Sequence, residues 1–178
     1  MVEVRVQTLG LDRTSNTPVV ILKEIEGDRI LPIWIGPGEA SAIAMQLAEM
    51  EFERPLTHDL LVSVLRALGG VLQRVLISKV EKGTYYAELI VHRNGSVIAL
   101  DARPSDSIAV ALRMNARIFA DDALLEHSTV DLSIHESEGG TVGESPPSPP
   151  PTAEGGEAEN LEEYLRRLDP EDFGRFKP

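Results

Sequence analysis

The chain has 178 residues, a net charge of −12 and a hydrophobic fraction of 42%, which fits one domain with an apolar core plus an appendage. It contains no cysteine, so disulfides, thiolate metal sites and a cysteine nucleophile are excluded. No apolar run approaches the ~20 residues of a membrane helix, and the N-terminus lacks the layout of a signal peptide. We therefore expect a cytoplasmic protein that does not enter the membrane.

The acidic charge is concentrated near the C-terminus. Residues 136–178 carry 11 of the 29 acidic side chains but only 4 of the 17 basic ones. The sequence shows no basic stripe of the kind that proteins use to bind nucleic acid through its phosphates alone. Strong nonspecific binding to nucleic acid is therefore not expected.

The first half of the chain predicts three strands and two helices. Residues 2–6 alternate between apolar and polar side chains, and residues 18–25 and 30–35 are β-branched runs on either side of a turn. Apolar stripes at helical spacing follow. One begins just after Pro37, and the other runs from Thr57, a predicted N-cap, to the stop signal Gly69-Gly70.

The second half repeats this alternation of strands and helices. Strands are predicted at residues 71–80, 84–92, 97–100 and 117–120, with a weaker one at 130–134. Asn94-Gly95 predicts a type I′ hairpin turn, Pro104 opens a third helix, and residues 121–127 predict a helical turn or two. We expect the strand aromatics to pack in the core: Trp34, Tyr85, Tyr86 and Phe119.

Two short segments resemble each other at an offset of 67 residues. Residues 37–40 and 104–107 both follow a strand, begin with proline and carry an acid two positions later. A duplicated β-β-β-α unit is one interpretation, and chance similarity is the other. Either way we predict an α+β fold, with a mixed or antiparallel sheet and helices packed on it.

A change of composition near residue 136 divides the chain. Residues 1–136 form the predicted domain, and residues 137–159 are an acidic linker rich in Pro and Gly that cannot build a core. Residues 160–178 predict a short amphipathic helix with one apolar stripe: Leu161, Tyr164, Leu165 and Leu168. That helix needs a surface on its own domain, on a second subunit or on another protein.

Four separated segments form a distinctive set of motifs: residues 31–36 with Glu39-Ala40, residues 54–60, residues 83–87 and residues 101–109. In their order and spacing they resemble the bifunctional nuclease domain family. Residues 168–173 are similar to the ending of many bacterial members. The resemblance implies an α+β fold, a homodimer or higher homo-oligomer, and nuclease activity on RNA and DNA.

Asp101, Arg103, Ser105 and Asp106 are the strongest candidates for chemistry. Asp101 and Arg103 are expected to end a strand on the same face, with Ser105 and Asp106 in the first turn of a helix, where free N–H groups favour an anion. We interpret Asp101 and Asp106 as ligands of Mg²⁺ or Mn²⁺, and Arg103 and Ser105 as phosphate-binding groups. The structural alternative is helix capping by Ser105 and Asp106 and a surface ion pair between Asp101 and Arg103.

Two further positions complete the predicted site. Glu39 is a third metal ligand, with Gly38 beside it to let a ligand approach, and its alternative is a carboxylate that stabilises a helix dipole. His58 is a candidate acid/base group at a helix start, where Thr57 and Asp59 could instead be simple capping groups.

The sequence therefore predicts a metal-assisted nuclease of low sequence specificity. The rival hypothesis is a non-catalytic oligomeric binding or regulatory module that engages a partner through its C-terminal helix. A small-molecule site at residues 36–39 is a third interpretation with little in the sequence behind it.

Overall fold

A computed structural model of the chain describes residues 1–12 and 15–125. Seven strands and three helices lie within these residues. The strands are β1 (Val2–Asp12), β2 (Thr17–Glu24), β3 (Ile30–Trp34), β4 (Val71–Glu81), β5 (Thr84–Arg93), β6 (Ser96–Ala102) and β7 (Arg117–Ala120). The helices are α1 (Pro37–Leu47), α2 (Thr57–Ala67) and α3 (Pro104–Met114), followed by a short 3₁₀ helix at Asp122–Leu124.

These elements confirm the predicted α+β class. The expected strand at 130–134, the linker at 137–159 and the helix at 160–178 lie outside the described residues. Among the helices that the structure describes, none has both the length and the apolar character needed to cross a membrane.

The strands form one mixed sheet in the order β3-β2-β1-β7-β4-β5-β6. Two antiparallel meanders flank the short strand β7, which runs antiparallel to β1 and parallel to β4. A helix with proline in its first turn follows each meander, α1 after β3 and α3 after β6. A duplicated β-β-β-α unit would produce this order, and the duplication stays a hypothesis.

Side chains alternate between the two faces of the sheet along each strand, and this alternation determines which residues form the core. Val20 and Leu22 of β2 are buried in the main core beneath the helices, which also contains Ile43 of α1 and Ile108 of α3. The intervening residues Val19 and Ile21 point to the other face of the sheet and form a small second cluster with Ile30.

Backbone conformation confirms one predicted turn and corrects one predicted cap. Asn94 and Gly95 have φ angles of 50° and 78°, as the central residues of a type I′ hairpin require. Thr57 is not the N-cap of α2, because Leu56 holds that position and Thr57 is already helical. The Leu56 N–H donates instead to the Asp59 carboxylate at 2.9 Å, so Asp59 caps the helix from inside its first turn.

The prediction that Trp34 belongs to the core is wrong. Trp34 ends β3, which is an edge strand, and its side chain is 48% exposed. Its indole N–H donates to Asp12 Oδ2 at 3.0 Å. The aromatics Tyr85, Tyr86 and Phe119 are half-buried.

Helix α2 turns its apolar stripe away from the core. Val62 is its only fully buried residue. Four large side chains on α2 and at its C-cap are between 40% and 57% exposed; we call Leu60, Leu61, Val64 and Leu68 the outer stripe. A surface helix of a globular domain normally buries such a stripe against the core. In α2 the stripe faces solvent instead, and we call this the inverted orientation of α2.

Ser107 offers a test of core packing in α3. Its hydroxyl is fully buried and has no hydrogen-bond partner among the described residues. We expect Ser107→Ala to raise the free energy of unfolding by about 1 kcal/mol, because alanine removes an unsatisfied polar group and favours the helix. Urea denaturation measures this, with Ser41→Ala as the control because the Ser41 hydroxyl is exposed and bonded to the Pro37 carbonyl. A loss of stability in Ser107→Ala would contradict the assignment.

Candidate functional site

The first turns of all three helices contribute to one polar cluster. Glu39 lies in the first turn of α1, His58 in that of α2 and Asp106 in that of α3. Arg103 is the N-cap residue of α3. Free backbone N–H groups and the positive end of each helix dipole favour carboxylates at these positions.

The Asp106 carboxylate is the centre of this cluster. Arg103 Nε donates to its Oδ2 at 2.7 Å and Arg103 Nη2 to its Oδ1 at 3.2 Å, while His58 Nε2 lies 3.1 Å from Oδ1. Partial burial by itself would raise the pKa of Asp106, but the hydrogen bonds from Arg103 and His58 outweigh burial and lower it. The bond to Asp106 raises the pKa of Arg103, so both groups are charged at neutral pH.

Arg103 also connects this cluster to α1. Its Nη1 lies 2.8 Å from Glu39 Oε1, so one guanidinium bridges two carboxylates. The Glu39 carboxylate folds back over Gly36, where a Cβ atom would collide with it, whereas a Cβ on Gly38 would meet nothing within 4 Å. Gly36 is therefore the glycine that the position of Glu39 requires.

Asp101 and Ser105 do not take part in the contacts of this polar cluster. In the β5–β6 register Leu100 pairs with the buried Leu89, so Leu100 faces the helices and the alternation places Asp101 on the opposite face, although Asp101 still borders the cleft near the end of the strand. Asp101 forms no ion pair with Arg103 within the described residues, and Arg103 already lies beyond the strand. Ser105 is buried at the start of α3.

A cleft of about 690 Å³ opens beside the polar cluster. His58, Arg103 and Asp106 form its polar end, and the Arg103 side chain is 66% exposed there. The remaining walls come mainly from α2 and the β5–β6 pair: Thr57, Leu61, Thr84, Tyr85, Tyr86, Leu89, Leu100, Asp101, Ala102 and Val110. The cleft thus combines a cation and an imidazole at one end with a mostly apolar wall.

Arg113 is a residue that the sequence reasoning missed. Its side chain is only 6% exposed, and its Nε donates to Asp59 Oδ1 at 2.6 Å. Its other nitrogens donate to the Ala109 carbonyl of α3 and the Ala42 carbonyl of α1. Arg113 therefore joins all three helices. The signal that could have found it is its spacing of seven residues from Asp106, which puts both on one face of α3.

The predicted metal ligands do not form a ready-made cation site. Within residues 1–12 and 15–125, no group of three or more His, Asp or Glu side chains is placed to hold a metal ion. Arg103 occupies the space between Asp106 and Glu39. A cation bound by these two carboxylates would have to displace the guanidinium.

We expect Arg113→Met to destabilise the domain by about 3 kcal/mol, because it leaves Asp59 and two carbonyls without their buried donor. The free energy of unfolding measures this. Hydrogen exchange should also quicken in α2 more than in β4 and β5. Arg117→Met is the matched control, since Arg117 is 69% exposed and lies 3.8 Å from Glu3. Equal effects of the two substitutions would refute the role given to Arg113.

The lowered pKa of Asp106 predicts a pH dependence of stability. A carboxyl group whose pKa is lower in the folded state stabilises the fold at any pH above its unfolded-state pKa, which is near 3.8. This stabilisation is lost as the pH falls through the folded-state pKa. We expect wild type to be more stable than Asp106→Asn at pH 7, with the difference shrinking as the pH falls below about 4. Asp28→Asn, at a 97% exposed side chain, should show little difference at any pH. A difference for Asp106→Asn that stays constant from pH 7 down to about pH 2 would contradict this account.

Comparisons with known proteins agree with the motifs in the sequence. The family model of the bifunctional nuclease domain matches residues 20–133. Uncharacterised proteins from two strains of Mycobacterium tuberculosis are 40% identical over 173 residues, which covers 97% of this chain and 98% of theirs.

Two rice relatives match at a greater distance. A protein of Oryza sativa subsp. indica named Bifunctional nuclease 1 and a protein of Oryza minuta named Bifunctional nuclease are each 24% identical over 110 residues. The match covers 60% of this chain and 33% of each rice protein. The family model covers well over half of the chain, and the mycobacterial relatives match along nearly all of it. This chain therefore belongs to the bifunctional nuclease domain family.

Proposed function

We propose that this chain is a nuclease of low sequence specificity that hydrolyses phosphodiester bonds in RNA and DNA. The observation that carries the proposal is His58, bonded to Asp106 and adjacent to the exposed Arg103 at the polar end of the cleft. Membership of the family and the printed names of the rice relatives support it. A fold alone would not, since one fold can carry many activities.

Arg103 is the proposed phosphate-binding group. Its guanidinium is fixed by two carboxylates yet two-thirds exposed, so it can approach a phosphate without reorganising. A planar guanidinium also matches the geometry of phosphate oxygens. In the proposed reaction it stabilises the negative charge that develops on the oxygens around phosphorus.

His58 is the proposed general base. A bond from its Nε2–H to Asp106 fixes the tautomer and leaves the Nδ1 lone pair free to accept a proton. Nδ1 then removes a proton from water while the water oxygen bonds to phosphorus. The bond from phosphorus to the leaving oxygen breaks, and that oxygen takes a proton from solvent.

The shape of the cleft supports single-stranded substrates. Tyr85, Leu89 and Leu100 line the wall next to the polar end, and unpaired bases pack against surfaces of this kind. No basic stripe is available to follow a long backbone, which favours short contacts around one phosphate.

Assistance by Mg²⁺ or Mn²⁺ is a separate part of the proposal. Asp106 and Glu39 are its ligands, with Asp101 less favoured because it faces the other side of the sheet. Since Arg103 lies between Asp106 and Glu39, metal binding requires that side chain to turn into the cleft. Chelation by EDTA distinguishes a cation-dependent reaction from one that His58 and Arg103 perform together.

A non-catalytic binding module is the second candidate. Two exposed apolar surfaces favour this second function, because such surfaces often contact other proteins. They are the outer stripe of α2 and the residues Val97, Ile98 and Leu100 on the edge strand β6.

The exposed edge of β6 also supports the proposed homodimer or higher homo-oligomer. Light scattering measures that oligomeric state. A cytoplasmic location also remains a prediction.

Cleavage of fluorescent RNA and single-stranded DNA by highly purified protein tests the nuclease proposal. We expect His58→Gln to lower kcat by about 100-fold or more, and Arg103→Met to lower kcat/KM by a similar factor. Each reaction is run with Mg²⁺, with Mn²⁺ and with EDTA. His92→Gln and Arg117→Met serve as controls of the same residue types, because neither residue lines the cleft.

Three outcomes separate the hypotheses. Activity that co-purifies with the wild type and falls only in the two site variants supports the nuclease and its site. Equal activity in all variants rejects the site and points to a contaminant. A folded wild-type protein without activity under any condition favours the binding module.

A further inference from the structure

The outer stripe of α2 is an apolar surface with no covering element among the described residues. Its four side chains recur at helical spacing, so they form one continuous face along two turns of the helix. A stripe of this length turned towards water is typical of a docking surface.

The chain itself contains a segment of matching shape. Residues 160–168 carry one apolar face, made of Leu161, Tyr164, Leu165 and Leu168, which we call the tail stripe. On a helix these residues span about 11 Å, and the outer stripe from Leu60 to Leu68 spans about 12 Å. Each stripe therefore offers the other a partner of equal length.

The connection between the two stripes is long enough for them to meet. Residues 137–159 form the predicted linker before the tail stripe, and a chain of that length has a root-mean-square span of roughly 26 Å. A domain of about 125 residues has a radius of gyration near 14 Å, so its whole surface is within reach. A tethered segment also acts at an effective concentration of about a millimolar, which favours its own domain over a separate partner.

The charges around the outer stripe favour one orientation of the tail segment relative to α2. Arg66 lies in the last turn of α2, and Arg93 lies beside Val71 because the β4–β5 register pairs Val71 with His92. Both arginines are exposed and have no ion pair within the described residues. The tail segment begins with Glu162 and Glu163, and the linker before it is acidic without a basic residue.

We propose that residues 160–168 dock as a helix, antiparallel to α2, on the outer stripe of their own domain. This orientation places the acidic start of the tail segment near Arg66 and Arg93. It pairs Leu161 with Leu68, and Leu165 with Val64. The proposal is independent of the nuclease activity.

The absence of cysteine makes a crosslinking test direct. In the full chain we introduce Val64→Cys with Leu165→Cys, or Leu68→Cys with Leu161→Cys, and oxidise at low protein concentration. We expect a disulfide within one chain, formed about tenfold or more faster than in the control that combines Ile25→Cys with Leu165→Cys. Ile25 is 50% exposed and lies after β2, away from α2. Peptide mass spectrometry identifies the bond.

Other results would overturn the proposal. Equal rates for all pairs mean that the tail samples the surface without docking. Disulfides that form only between chains, at a rate rising with concentration, assign the stripe to a second copy. Faster crosslinking of Leu60→Cys with Leu161→Cys than of the Leu68 pair rejects the antiparallel orientation.

A second measurement avoids substitutions in α2. Hydrogen exchange of residues 60–68 is compared between the full wild-type chain and the variant with Leu161→Ser and Leu165→Ser. We expect about tenfold faster exchange in that variant, and no change with Ala153→Ser and Ala158→Ser in the linker. Unchanged exchange in the leucine variant would refute docking.

Discussion

The ion pair between Arg113 and Asp59 is the contact on which the placement of α2 depends. Helix α2 buries only Val62 fully, so apolar packing alone does not fix its position. Asp59 uses one oxygen to cap its own helix and the other to hold the buried guanidinium of α3. One residue earlier, His58 contacts Asp106 on the same face of α3, two turns away. Two neighbouring residues of α2 thus fasten it to both ends of α3.

This arrangement explains why several charges can gather in a small volume. Three helix N-termini supply positive potential, so the carboxylates of Glu39 and Asp106 are stabilised before any cation approaches. Arg103 then pairs with both, and the bonds from Arg103 and His58 overcome the effect of burial on the pKa of Asp106. The balance leaves a guanidinium and an imidazole facing the cleft, which is a chemistry suited to an anionic substrate.

Local patterns in the sequence predict most of the fold, and long-range contacts account for what they miss. Strand alternation and helix-opening prolines depend on neighbouring residues, and the described elements confirm them. The cap assigned to Thr57 and the buried position assigned to Trp34 were wrong, because Asp59 caps α2 and β3 lies at the sheet edge. His58 and Asp106 could be named from their helix starts. The role of Arg113 could not, since it follows from the packing of three helices.

The inverted orientation of α2 links the site to the outer surface of the domain. His58 and Leu61 lie about one turn apart on the same helix, and both line the cleft. Leu61 also belongs to the outer stripe, so a segment bound there contacts the element that carries the proposed base. Because polar bonds rather than a deep apolar anchor hold α2, a small displacement of the helix changes the distance from His58 to Asp106. The outer stripe and the proposed base are therefore carried by one helix, with Leu61 common to the stripe and the cleft wall.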